Sequence, residues 1–219
     1  MTNRGRLAGG GSEDSARRCL VMQAQFAVEA GIDLIQIREH DLEGAALAAL
    51  VSELLAVTRR TPSRIVVNDR LDVALAAGAD GVHLRADSIP VAEARRLAPA
   101  GFLIGRSVHS AAEAAAARDA DYLIAGTVFP SRSKGTAHPL LGIDGLRAMV
   151  SATPAPVLAI GGITLERLED VAAAGAAGVA AIGLFIRPGD AADRGCGAID
   201  LRAAVADARR RFDRVNTAP

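Results

Sequence analysis

Seven short apolar runs punctuate the chain: IDLIQI from Ile32, IVV from Ile65, GVHL from Gly81, FLIG from Phe102, DYLIAG from Asp121, PVLAI from Pro156 and VAAI from Val179. They are nearly all-apolar rather than alternating, as expected of strands buried on both faces of a parallel sheet. Between them the text carries helix punctuation. Ser110-Ala-Ala-Glu113 fits a capping box, Thr164 stands as an N-cap before LERLEDVAAA, and Gly31, Gly78 and Gly175 stand where helices stop. The phrases EAGIDLI, AAGADGV and AAGAAGV repeat one helix end, glycine turn and strand start, an internal echo of a βα unit. No Pro/Ser-rich linker interrupts the alternation, which predicts an α/β fold, a single (β/α)8 TIM-type barrel over 16–213. The flanks are read as a flexible amino-terminal remnant, 1–15, and a disordered tail, 214–219.

An eighth strand is not visible. Before the first recognisable helix, expected near Arg17 to Ala30, there is only MTNRGRLAGGGSEDS, without an apolar run. The first strand is therefore expected to be short or missing, leaving the strands that begin at Asp33 and Val179 with exposed edges. A chain begun several codons upstream is expected to be more soluble and more stable.

Composition narrows the function. The 219 residues are half hydrophobic, enough for one sizeable core, but 3% aromatics and no Trp provide little surface for stacking bases. A formal net charge of zero argues against nucleic acid or a membrane surface as partner. Cys19 and Cys196 have no CxxC spacing, so neither a disulfide framework nor a zinc site is signalled, and a cytoplasmic location is the default. The expected partners are small phosphorylated substrates, with assembly into a homo-oligomer left open.

After nearly every apolar run come glycines or the groups of anion chemistry, and in a (β/α)8 barrel the carboxyl ends of the strands carry the active site. Gln36 and Arg38, two apart at a strand end, share one side. Arg38 offers a planar fork to phosphate oxygens, or else a structural pair with Glu39 or Asp69. Asn68 and Asp69 supply an amide and a hard oxygen for magnesium, with Asp87 the nearest second carboxylate or, alternatively, a helix cap. Arg106 and Ser107 place a cation and a small hydroxyl at another strand end, with His109 beyond. Ser131-Arg132-Ser133-Lys134-Gly135 can wrap a pyrophosphate or be a solvated basic turn. Ile160-Gly161-Gly162 and Ile182-Gly183 sit where barrels bind a ligand phosphate through bare backbone N–H groups.

Taken together, VNDRLDVALAAGADGVHL, IGRSVHS, DYLIAGTVFPSRSKG and PVLAIGGIT resemble the thiamine phosphate synthase family, including its thiazole tautomerase branch, over about residues 16–186. The resemblance implies a barrel that joins a hydroxymethylpyrimidine pyrophosphate to a thiazole phosphate, with magnesium-bound pyrophosphate as leaving group. By that likeness Gln36, Arg38, Asn68 and Lys134 hold the pyrimidine and pyrophosphate, and Asp69 ligates magnesium. Ser107 touches the leaving group, and Ser131, Ser133, Gly162 and Gly183 touch the thiazole phosphate. Thr2-Asn3-Arg4 resembles the end of the family's first strand, so the given start is expected to fall inside it.

The chain departs from the pattern in three places. Where the synthases read Arg-Glu-Lys it has Arg38-Glu39-His40, exchanging a fixed charge for a group largely neutral near pH 7. Where they read Gly-Gln-x-Asp it has Arg85-Ala86-Asp87-Ser88, so the second magnesium carboxylate is lost or moved to Asp87. Where the tautomerases have a histidine it has Thr127, leaving His40 or His109 as acid–base candidates. Three functions follow as alternatives: a synthase, a thiazole phosphate tautomerase, and a non-catalytic barrel that binds thiamine precursors or phosphate.

Overall fold

The computed structural model describes residues 1–8, 11–131, 139–186 and 201–216. Its strands form one parallel sheet in sequential order: β1 Leu34–Ile37, β2 Arg64–Asn68, β3 Gly81–Leu84, β4 Leu103–Val108, β5 Tyr122–Gly126, β6 Val157–Ile160 and β7 Gly178–Ala180. Every expected apolar run overlaps its strand. β4 runs past the apolar text, so Arg106 and Ser107 lie inside it rather than after it. The helices are α1 Arg4–Ala8, α2 Glu13–Glu29, α3 Gly44–Thr58, α4 Leu71–Ala77, α5 Val91–Leu97, α6 Ala111–Ala116, α7 Gly142–Ser151, α8 Leu168–Ala173 and α9 Leu201–Asn216. No helix among the described residues is long and apolar enough to cross a membrane. The chain parts into two compact units: Met1–Val82 with Ile182–Ala206, and His83–Ala181 with Asp207–Pro219.

In the first unit Ile37, Leu50, Leu54 and Ile65 are buried to 1% exposure or less, joining β1 and β2 to α3. β1 pairs with β2 in the register Gln36↔Val66 and Ile37↔Val67. In the second unit β4, β5 and β6 pair in turn, with Ser107↔Ile124 and Gly126↔Ile160 in register, over Ile104, Leu123, Leu146, Met149 and Leu168.

The repeated sequence phrase has a hydrogen-bonding meaning. The Asp80 backbone N–H donates to the Ile65 carbonyl at 3.0 Å while its carboxylate accepts from the Ile65 N–H at 2.7 Å. Asp121 does the same to Ile104, at 2.9 and 2.6 Å. In AAGAAGV the equivalent backbone bond, Ala177 N–H to the Val157 carbonyl at 2.8 Å, is kept without the carboxylate. The glycine stops hold: Gly31, Gly78 and Gly175 have φ of +82°, +70° and +86°, a region where any other L side chain is strained. Ser110 Oγ accepts from the Glu113 N–H at 3.2 Å, but Glu113 turns to the His109 N–H at 2.8 Å, so the expected capping box is only half made. Thr164 stands at the N-cap of a 3-10 turn, Leu165–Arg167, without the expected side-chain cap.

The amino end differs from a flexible remnant. Residues 4–8 are helical, and 13–15 already belong to α2, because Ser12 caps it by accepting from the Ser15 N–H at 3.3 Å. No strand precedes β1 among the described residues. Only Thr2 lies along β1, donating its N–H to the Gln36 carbonyl at 2.8 Å and accepting from the Arg38 N–H at 2.9 Å through its hydroxyl. Arg4 then drives into the unit. Its backbone N–H meets the Glu39 carboxylate at 3.1 Å, its guanidinium meets Glu39 at 3.2 Å, and a further contact reaches Asp41 at 2.7 Å. At the other end α9 continues through Asn216, past the expected boundary at 213. Cys19, buried on α2, is disulfide-bonded, which the cysteine spacing did not signal; Cys196 lies outside the described residues.

Removing one partner of a buried ion pair leaves the other charged and unsolvated. Glu39 and Arg4 are 8% and 7% exposed, so Arg4→Ala is expected to cost about 3–5 kcal/mol in urea unfolding. A loss within about 0.5 kcal/mol, the usual size for a surface site, would show that the pair does not anchor the amino end.

Candidate functional site

In the first unit the period-2 rule sorts the end of β1. Gln36 and Arg38 take one side, Ile37 and Glu39 the other. Gln36 is 4% exposed; its Nε2 donates to Asn68 Oδ1 at 3.2 Å, and its Oε1 has no partner among the described residues. A buried acceptor without a donor costs about 1–3 kcal/mol, and such groups in native structures call for an explanation. Beside it, half-buried Arg38 makes no side-chain hydrogen bond or ion pair among the described residues, because Glu39 is held by Arg4. The structural pairing of Arg38 with Glu39 is thus absent.

His40 lies exposed beyond the strand end. Its neighbour Asp41 is held below the usual carboxylate range, first by its hydrogen bond from Arg4 and in smaller part by the charge of His40. At the end of β2, Asp69 has a φ of +62°, a left-handed conformation that Asp tolerates better than most residues, and the Arg70 N–H closes back on the Asn68 carbonyl at 2.8 Å. Arg70 itself is spent on Asp72, at 2.6 and 2.9 Å. The turn at Ile182 and Gly183 is tied by the Phe185 N–H to the Ile182 carbonyl, 3.1 Å, and by Gln23 to the Phe185 carbonyl, 2.9 Å.

In the second unit the most tightly held polar residue is one the sequence reasoning passed over. His83, 1% exposed, sits between two hydroxyls, Ser107 Oγ at 2.9 Å from Nε2 and Tyr122 Oη at 3.2 Å from Nδ1. Its ring stacks on Tyr122 with centroids 5.6 Å apart, and burial pushes the Tyr122 hydroxyl pKa well up. The signal was the lone polar residue in GVHL, hidden by its apolar neighbours. Gly105 makes this packing feasible, since a Cβ there would overlap the Tyr122 ring.

Arg106 points away from Ser107 along β4 and donates to the carbonyls of Ile89 at 2.6 Å and Ala86 at 2.7 Å. Its charge therefore braces the turn after β3, a role its residue type did not reveal. Asp87 is paired with Arg85 at 2.6 Å in that turn. His109 is half-exposed against Glu113 at 3.4 Å. Thr127 is 7% exposed and buried, its carbonyl accepting from the Leu141 N–H at 2.9 Å. Ser131 is half-buried; Ser133 and Lys134 lie outside the described residues.

The glycines separate into two kinds. Gly161 and Gly162 have φ of +101° and +60°, and a Cβ on either would overlap the Thr127–Pro130 segment. Arg167 locks the same corner, donating to the Gly162 carbonyl at 2.7 Å and lying 4.4 Å over the Phe129 ring. Gly183 has neither constraint: its φ is not positive, and a Cβ would meet nothing within 4 Å among the described residues. Packing thus accounts for the first two but not the third.

As a metal centre the site is sparse: the described residues hold no group of three His, Cys, Asp or Glu that could hold an ion. Asp69 is a hard-oxygen donor at a strand end and fits magnesium as a single carboxylate working with substrate phosphates. Asp87, engaged by a guanidinium, does not fit as a second ligand.

The family model described as thiamine monophosphate synthase matches residues 11–185. A thiamine-phosphate synthase of Methanoculleus marisnigri is 47% identical over 169 residues, covering 76% of this chain and 80% of that protein. One of Methanoregula boonei is 44% identical over 191 residues, covering 86% and 87%. Among solved structures, a thiamine phosphate pyrophosphorylase from Pyrococcus furiosus superposes with a TM-score of 0.74 at 34% identity, covering 89% of this chain and 90% of that one.

The two kinds of glycine give opposite expectations. Gly162→Ala should lower stability by about 1–3 kcal/mol through strain and overlap, while Gly183→Ala should stay within about 0.5 kcal/mol of the parent. Urea unfolding of both variants decides it, and equal losses would remove the distinction.

Proposed function

The chain belongs to the thiamine monophosphate synthase family, and from that premise we propose that it is a thiamine phosphate synthase, a transferase joining hydroxymethylpyrimidine pyrophosphate to thiazole phosphate. What supports this reading most is the end of β1: a buried Gln36 oxygen without a donor, beside an Arg38 guanidinium that no carboxylate of the described residues neutralises. An aminopyrimidine supplies the missing donor, and a pyrophosphate supplies the missing anion.

In this reaction the bond between the pyrimidine methylene and the pyrophosphate oxygen breaks, and the thiazole nitrogen takes the methylene. Positive charge grows on the pyrimidine while negative charge grows on the departing oxygen. Fixed donors aimed at that oxygen stabilise the transition state without reorganising. Arg38 carries a permanent charge toward the leaving group, Lys134 adds a second by the family likeness, and Ser107 offers a hydroxyl held by His83 at 2.9 Å. Asp69 would hold magnesium, which when bound neutralises pyrophosphate charge. Gly183 leaves bare backbone for the thiazole phosphate. The substrates are small phosphorylated precursors, and a cytoplasmic place suits them.

The tautomerase alternative needs a positioned acid–base group. Thr127 stands where that branch has histidine, His40 is exposed, and His109 leans on Glu113 at 3.4 Å, so the synthase reading is better supported. A non-catalytic binder would hold thiazole phosphate without turnover.

Purified protein given both substrates and magnesium is expected to form thiamine phosphate, and its complete failure to do so would sink the proposal. Arg38→Ala should lower kcat/KM by about a hundredfold or more, as loss of a charged transition-state contact does. Lys134→Ala should cost orders of magnitude likewise. EDTA should abolish turnover; activity that survives chelation but is lost on replacing His109 would favour the tautomerase instead.

A further inference from the structure

Three side chains of the second unit, Tyr122, His83 and Ser107, are joined by two hydrogen bonds whose directions can be worked out. Gly105 of β4 stands in register with Tyr122 of β5, and by the period of two Ser107 takes the same side as Gly105. A Cβ at Gly105 would overlap the Tyr122 ring, so the ring lies over the bare glycine and brings its hydroxyl to His83. There Tyr122 Oη is 3.2 Å from Nδ1, and Ser107 Oγ is 2.9 Å from Nε2. The two hydroxyls differ in burial: Tyr122 is 7% exposed, whereas Ser107 is half-buried.

A hydroxyl proton buried from water needs an acceptor. Among the described residues the Tyr122 O–H has one, His83 Nδ1, and can use it only where Nδ1 carries no proton. The opposite tautomer and the doubly protonated ring both aim an N–H at Tyr122 Oη. Either leaves the phenol proton buried without an acceptor, a penalty that favours the first arrangement by about tenfold or more. Burial also pushes the Tyr122 pKa well up, so the phenol keeps its proton. The ring proton of His83 is then on Nε2 and goes to Ser107 Oγ, and the serine's own proton is turned away from the ring.

Resting on the synthase reading, we propose that His83 and Tyr122 are positioning residues that fix Ser107 as a hydrogen-bond donor to a phosphoryl oxygen of the substrate. A serine that gave its proton to imidazole would present lone pairs to an arriving anion. One that receives the imidazole proton presents its hydrogen. The order Tyr122 to His83 to Ser107 therefore points a donor outward, and each bond polarises the next. A donor set in this way needs no reorganisation as charge grows on the leaving oxygen.

The tautomer is read from long-range proton–nitrogen spectra of the histidine rings in the whole protein labelled with heavy nitrogen, His83 being identified by the signals lost in His83→Gln. The expected result is a protonated Nε2 and a bare Nδ1. In the synthase assay Tyr122→Phe keeps the ring and removes only the donor, so kcat should fall about three- to tenfold with KM within about twofold. His83→Leu should cost about tenfold or more in kcat, and His83→Gln, whose amide can donate near the Nε2 position, should recover part of it. Because His83 acts through Ser107, His83→Leu should cost little further kcat in a Ser107→Ala background. A proton on Nδ1 or on both nitrogens would overturn the proposal, as would equal losses from His83→Leu with and without Ser107 in proteins folded by circular dichroism. The Nε2–H tautomer in a protein that makes no thiamine phosphate would support the hydrogen-bond order while removing the synthase function. The Nδ1–H tautomer in an active synthase would do the reverse.

Discussion

Two charges taken out of water must meet, and the Arg4–Glu39 contact is where this molecule meets that constraint. Glu39 lies on the side of β1 turned away from Gln36 and Arg38, and it is nearly as buried as the apolar residues around it. A carboxylate in that position needs a cation, and the nearest one in the sequence is Arg38. Arg4 takes it instead, with backbone and guanidinium together. The same contact fixes Thr2 along β1, where its hydroxyl receives the Arg38 N–H. One ion pair thus docks the amino end, covers part of an open strand edge, and leaves Arg38 without a carboxylate partner among the described residues.

Much of this was legible because parallel strands buried on both faces write themselves as apolar runs. All seven strands fall on these runs, because a strand buried on both faces has few positions left for polar residues. The glycine stops were equally legible, because αL geometry restricts the residue type. What failed to show was anything decided by a partner distant in sequence. Arg4 reads as part of a polar leader, and its partner lies 35 residues on. Arg106 reads as an anion ligand, yet its donors go to carbonyls 17 to 20 residues upstream. His83 was lost inside a strand because burial of a histidine is invisible until the two hydroxyls that satisfy it are brought alongside.

The glycine pairs show how one residue type can serve two ends. Both Gly161-Gly162 and Gly183 follow a strand, and both were read as bare backbone for a phosphate. The first pair is required by its own fold, through positive φ and the approach of Thr127 to Pro130, whatever it also binds. At Gly183 neither conformation nor crowding among the described residues excludes a side chain. Among the described residues, then, packing and backbone conformation account for the glycines at 161 and 162 and leave the one at 183 unaccounted for.

The same reasoning separates the two carboxylates that the sequence offered to a metal. Asp69 stands in a strained left-handed turn at a strand end, and strain of that kind persists where the surroundings over-determine it. Asp87 stands in a relaxed turn with its charge already answered by Arg85. Net charge over the whole chain is zero and says nothing of this; the sign of each turn is set locally, by which side chains the strand ends bring together. A turn at a strand end can therefore carry a guanidinium or a carboxylate, changing the local charge while the strand that holds it stays unchanged.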